Sequence, residues 1–246
     1  MTSPPPAGNG ARLTFMAPLS AARADRIVTG LAAGSPSTVV DLGCGWGELL
    51  LRVVAACPGA KGIGLDTHEP DLARGRANAE ARGLDGRVTF VDGPAADHRD
   101  TADLLVSVGA YQAFGTIASA LGAIRELVNP GGRVLFAAEF WESPPPPDRL
   151  ALMWPGMSAD DCTDLAGLVD QAIAAGFRPL RVETATRDEW DEFESLLAAD
   201  REEWLITHPN HPEAAAVREQ ADSQRNIWLR GHRGLMGFAY LTLGPS

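Results

Sequence analysis

The segment Val39-Val40-Asp41-Leu42-Gly43-Cys44-Gly45-Trp46-Gly47-Glu48 is the part of the chain whose residue types and spacing point most directly to chemistry. An apolar run leads into a carboxylate, and glycines then alternate at Gly43, Gly45 and Gly47. Glycine allows positive φ and close approach of a backbone to a ligand. The same pattern suits a tight strand-to-helix turn without a ligand, but its full strand, turn and helix context favours a binding turn. A dinucleotide site needs G-x-G-x-x-G, whereas here the third glycine is Gly47 and position 48 is Glu48. With Asp41 just upstream, a pyrophosphate would meet a carboxylate at close range, while the ammonium of an amino acid would be attracted to it. The charge logic favours a zwitterionic, cationic cofactor.

An acidic residue followed by G-x-G-x-G resembles motif I of the class I S-adenosylmethionine-dependent methyltransferases. The resemblance implies that Asp41, Gly43, Gly45 and Gly47 form the floor beneath the methionine and ribose parts of S-adenosylmethionine, with S-adenosylhomocysteine as product. The next run ends Gly62-Ile63-Gly64-Leu65-Asp66, matching the family's acidic residue that grips both ribose hydroxyls, with Thr67 beside it in the cofactor site. One carboxylate can accept from two adjacent hydroxyls, as in dinucleotide sites. In Val88-Thr89-Phe90-Val91-Asp92-Gly93-Pro94-Ala95, Pro94 stands where many members of the family carry an aspartate that accepts from the adenine amino group. Asp92, or the backbone near Ala95, is left for that contact. By the same resemblance, Val108 and Gly109 expose carbonyls to the methionine ammonium, and Tyr111 and Gln112 reach into an acceptor pocket.

Methyl transfer from a sulfonium is an in-line displacement, so the protein mainly aligns the reactants and excludes water. If the acceptor is a hydroxyl, thiol or acidic carbon, a base helps, and His68, His98, Glu139 and Tyr111 are candidates. Glu139 and Trp141, just past an apolar run, are candidate substrate contacts together with Tyr111 and Gln112. Aromatic and carboxylate groups with few cations suit a neutral or basic, partly apolar small molecule, such as a natural product. The alternative is a protein of the same fold that binds S-adenosylmethionine without methylating, as a scaffold for another rearrangement or as a sensor. No metal site is expected: His208-Pro209-Asn210-His211 reads as a turn and lacks an acidic or cysteine partner nearby.

Positioning such a site requires a sheet with its turns at one end. Five strand candidates, residues 38–42, 62–65, 88–91, 104–108 and 133–138, alternate with helical segments, and several are apolar on both faces. The expected fold is α/β: a Rossmann-like, mostly parallel seven-stranded sheet with helices on both faces and an antiparallel last strand. Beyond the four prolines at 144–147, a helix over 159–176, a strand over 178–186, a long helix over 188–207 and a strand over 237–243 are expected. Residues 1–12 read as a disordered tail without signal-peptide features. Residues 13–246 read as a single domain, with 13–34 a helical cap whose helix starts at Ser20 and 187–235 a helical insertion. At 246 residues and 45% hydrophobic content one large core is feasible.

A net charge of −11 without a basic cluster argues against nucleic acid. No apolar run approaches the ~20 residues of a membrane span. Cys44, Cys57 and Cys162 read as reduced thiols. A cytoplasmic monomer or homodimer is expected.

Overall fold

A computed structural model describes residues 3–6 and 8–246. Seven strands form one sheet: β1 (Thr38–Leu42), β2 (Lys61–Asp66), β3 (Val88–Asp92), β4 (Ala102–Val108), β5 (Val128–Trp141), β6 (Phe177–Thr184) and β7 (Met236–Pro245). Their order is β3-β2-β1-β4-β5-β7-β6. The first five run parallel, while β7 lies antiparallel between β5 and β6. The expected architecture is therefore present. Strands β1 and β4 carry almost fully buried runs, with Leu42, Leu104 and Leu105 at or near zero exposure. Burial on both faces is what a sheet covered by helices on both sides requires.

The helices are α1 (Ala21–Ala32), α2 (Glu48–Ala56), α3 (Glu69–Ala81), α4 (Ile117–Leu127), α5 (Pro147–Leu150), α6 (Leu165–Ala174), α7 (Arg187–Thr207) and α8 (Ala214–Asn226). Helix α1 starts where the sequence places it, Ser20 accepting from the Arg23 N–H at 3.3 Å. It contacts α2 and buries Ile27, Val28 and Leu31, while Ala22 is exposed. Helix α7 opens on a capping box between Thr186 and Glu189. Because the order in which strands are added reverses at β1, with β2 on one side and β4 on the other, a topological switch point lies at the carboxyl ends of β1 and β4.

The chain forms two compact units. The sheet unit comprises Ser20–Glu139, Leu165–Thr184 and Phe238–Ser246. The other, largely helical, comprises Met1–Leu19, Phe140–Asp164 and Ala185–Gly237. The expected 13–34 cap is thus divided, α1 joining the sheet unit. Met1, Thr2 and Ala7 of the expected tail lie outside the described residues, but Gly10 is buried and Arg12 pairs with Asp200 and Glu203 of α7, so residues 10–12 are held, not frayed. The expected 159–176 helix is also shorter. A single turn at Ala159–Asp161 is followed by an extended stretch in which the Thr163 carbonyl accepts from the Trp141 N–H at 2.8 Å, and α6 begins only at Leu165.

In the helical unit, Trp204 and Leu205 of α7 pack with Ala214, Val217 and Ala221 of α8. Helix α8 widens into a π-helical turn, Ile227–His232, whose Gly231 carbonyl accepts from Arg149 at 2.8 Å. Among the described residues, no helix is long and apolar enough to cross a membrane.

Candidate functional site

Each glycine of the turn after β1 has its own reason to be glycine. Gly43 and Cys44 donate to the Leu65 carbonyl, both at 2.9 Å, which ties the turn to β2. Gly43 sits at φ 79°, and a Cβ there would lie 2.3 Å from the Ala110 Cβ, so its absence lets the ends of β1 and β4 close up. Gly47, at φ 65°, precedes α2, and its missing Cβ leaves room for the Phe90 ring, 2.5 Å from where that atom would be. Gly45, at φ 53°, differs from both: nothing lies within 4 Å of its Cβ position. It is the glycine of the turn that leaves open space for a ligand.

Two carboxylates flank this turn. Asp66, ending β2, accepts from the Gly45 N–H at 2.8 Å through Oδ2 and from the His68 N–H at 3.0 Å through Oδ1. Each oxygen keeps a further lone pair for a hydroxyl. Asp41 is 4% exposed, and burial, aided by the charge of Asp66, pushes its carboxyl up to about 8. A cation placed nearby would favour the charged form. Glu48, buried at the start of α2, is neutralised by Arg52 at 2.8 Å and Arg82 at 2.6 Å. The acidic pair by Gly45 therefore fits a ligand carrying an ammonium and vicinal hydroxyls, as S-adenosylmethionine does.

The other expected cofactor positions lie on the neighbouring strand ends of the same unit. Asp92 stands opposite Asp66 in the β2–β3 register and is exposed, as is Thr67. Ala95 is buried at the start of a 3₁₀ turn, Ala95–Asp97, which contacts a second one, Tyr111–Phe114, after β4. Gly109 follows Val108 at φ 65° and donates to the Ala137 carbonyl at 2.9 Å. Tyr111 is half-buried and Gln112 exposed on the second turn, and Glu139 is half-buried near the end of β5.

The expected catalytic and acceptor residues separate more sharply. His68 is exposed, and its Nδ1 lies 2.9 Å from Asp71 at the start of α3, so its ring is engaged in the first turn of that helix. Trp141, expected on the acceptor side, is packed instead. Its ring is 5% exposed among Met153, Cys162 and Met236, and its indole N–H donates to the Ala159 carbonyl at 2.8 Å. Sequence reasoning missed a buried pair in the helical unit, His232 and Glu194, whose Nε2 and Oε1 are 3.0 Å apart. Trp154 stacks on His232 at 5.1 Å and Trp190 tilts against it at 5.4 Å. No local spacing connects these positions, which come together only when α7 meets the π-helical turn.

A glycine turn and two acidic strand ends at the switch point of a seven-stranded sheet with an antiparallel β7 define a class I methyltransferase fold. The chain belongs to the family described as methyltransferase domain, whose model matches residues 34–201. A crystal structure of an S-adenosylmethionine-dependent methyltransferase from Geobacter sulfurreducens, in complex with S-adenosylhomocysteine, is 25% identical, with a TM-score of 0.87 over 97% of this chain and 96% of that one. The protein YjhP of Escherichia coli is 27% identical over 83% of each chain. A demethylmenaquinone methyltransferase of Thermus thermophilus is 36% identical over 46% of this chain and 50% of that protein. The protein is an S-adenosylmethionine-dependent methyltransferase.

Proposed function

We propose that this methyltransferase acts on a small-molecule acceptor that is neutral or basic and partly apolar. The observation that carries the cofactor side of the reading is the open face of Gly45 between buried Asp41 and half-buried Asp66. When bound, S-adenosylmethionine supplies an electrophilic methyl group on a sulfonium. Asp41 offers negative charge to its ammonium, and the Val108 and Gly109 carbonyls are further acceptors for it. Asp66, oriented by the N–H groups of Gly45 and His68, takes the ribose hydroxyls. Thr67, Asp92 and the backbone at Ala95 border the ribose and adenine.

Tyr111, Gln112 and Glu139 are our assignments for the acceptor, with Glu139 or Tyr111 as base where one is needed. A net charge of −11 disfavours a polyanionic acceptor. The Thermus relative is named for demethylmenaquinone, a quinone and not a nucleic acid or protein, which supports this class of acceptor. Three free cysteines suit a reducing compartment, and we assign the enzyme to the cytoplasm. The test is formation of S-adenosylhomocysteine from S-adenosylmethionine with a panel of phenols, amines, quinols and carboxylic acids. Turnover with a member of that panel supports the reading. Turnover on nucleic acid or protein alone overturns it.

A further inference from the structure

Helix α3 touches the glycine turn at two adjacent points. The Phe90 ring of β3 is wedged between Gly47 of the turn and Gly75 of α3, filling the space a Cβ would need at both, 2.5 and 2.6 Å away. One residue earlier on both elements, the Arg74 guanidinium lies over the indole of Trp46, 3.9 Å from a ring centroid. Trp46 is 3% exposed and stands between Gly45 and Gly47, so wherever its ring is held, the backbone on either side is held as well. Burial lowers the proton affinity of Arg74 somewhat, while Asp71 and Glu48 act to keep it charged. A partly desolvated cation over an indole is the stronger form of this contact.

We propose that α3 clamps the glycine turn in its binding shape, with Arg74 as a positioning residue that acts through Trp46. The proposal rests on the reading that this turn carries S-adenosylmethionine. Three alternating glycines at positive φ, Gly43, Gly45 and Gly47, would otherwise leave the turn with many conformations, and a binding loop that must be ordered on binding loses affinity in proportion. The packing of Phe90 fixes Gly47, whereas Gly45 has no neighbour on its Cβ side and is held by the Asp66 carboxylate at its N–H and by the stacked indole of the next residue.

The test is S-adenosylhomocysteine binding by calorimetry to the wild type, Arg74→Met, Arg74→Lys and Trp46→Phe. Methionine keeps an apolar stem and removes the charge; lysine returns a cation. Arg74→Met should bind roughly three- to thirtyfold more weakly, the range a cation–π contact is worth. Arg74→Lys should recover most of that loss, and melting temperatures should stay near the wild type. The emission assigned to Trp46, as the difference from Trp46→Phe, should be more open to acrylamide in ligand-free Arg74→Met and regain protection when ligand is added. Wild-type affinity in Arg74→Met overturns the clamp, as does a lysine variant no better than methionine, or a loss of affinity that tracks a loss of melting temperature. Failure of the wild type itself to bind S-adenosylhomocysteine would instead overturn the assignment of the turn.

Discussion

Asp41 joins burial to ligand charge. A folded-state value of about 8, against ~3.9 for an ordinary aspartate, means that the free protein holds Asp41 largely protonated at neutral pH. The sign follows from linkage: the stability this group contributes is complete below pH ~4 and is lost as pH rises through 8. A bound ammonium reverses the trend by favouring the carboxylate. We therefore expect S-adenosylhomocysteine to bind with release of a proton and with affinity rising from pH 6 to 8, up to about tenfold per unit. Calorimetry in buffers of different ionisation enthalpy measures both, and Asp41→Asn should flatten them. Asp66→Ala should weaken binding roughly ten- to hundredfold, since it removes charge-assisted acceptors for ribose and the anchor of the Gly45 N–H. Undiminished affinity in a folded variant would place the ribose elsewhere. The placement of Asp41 and Asp66 beside the glycine turn was legible because the pattern is local: an acid at a strand end next to glycines. Trp141 was not, because an aromatic after a strand reads alike as a ligand contact or as core until its neighbours are known.

At the scale of elements, the glycine turn separates two consequences that a motif alone merges. Alanine at Gly47 meets both an unfavourable positive φ and the Phe90 ring, so Gly47→Ala should lower the melting temperature and cost well beyond the ~1–2 kcal/mol of the backbone term. Alanine at Gly45 meets only the backbone term, since its Cβ enters open space. Gly45→Ala should stay folded and bind S-adenosylhomocysteine poorly, and a thermal melt beside a titration distinguishes the pair. Equal effects of the two substitutions on stability would contradict the geometry. The central strands were readable from apolar runs, since a strand covered on both faces has no polar alternation to conceal it. Strand β5 is longer than the expected 133–138 because it runs from Val128 through Pro130-Gly131-Gly132 and on to Trp141. The start of α6 was misplaced because one pairing, between Trp141 and the 163–164 stretch, overrides the helical pattern there.

For the whole molecule, the division into two units was hidden from sequence because each unit is assembled from three separate stretches. Helical periodicity at 188–207 announces a helix and says nothing of which core it joins. Trp141 belongs to the helical unit and the glycine turn to the sheet unit. Trp141→Ala should therefore cost ~3–5 kcal/mol of stability, as for a buried aromatic, while leaving S-adenosylhomocysteine affinity nearly unchanged. Chemical denaturation and calorimetry on the same sample check both parts; a stable variant would show that the indole is not core.

The placement of β7 sets an order on how this chain can be completed during synthesis. Strand β6 pairs with β7 alone, from Phe177 against Pro245 to Thr184 against Ala239, and β7 is the strand that joins it to β5. A ribosome that has released residues 177–184 has therefore produced a strand whose partner is still untranslated. Roughly sixty residues, at about 5–20 per second, separate the two, so β6 waits several seconds with an unpaired edge. The parallel strands β1 to β5, including the glycine turn, are made earlier and can pair in that interval. The residues of the glycine turn are thus made before the strand that completes the sheet.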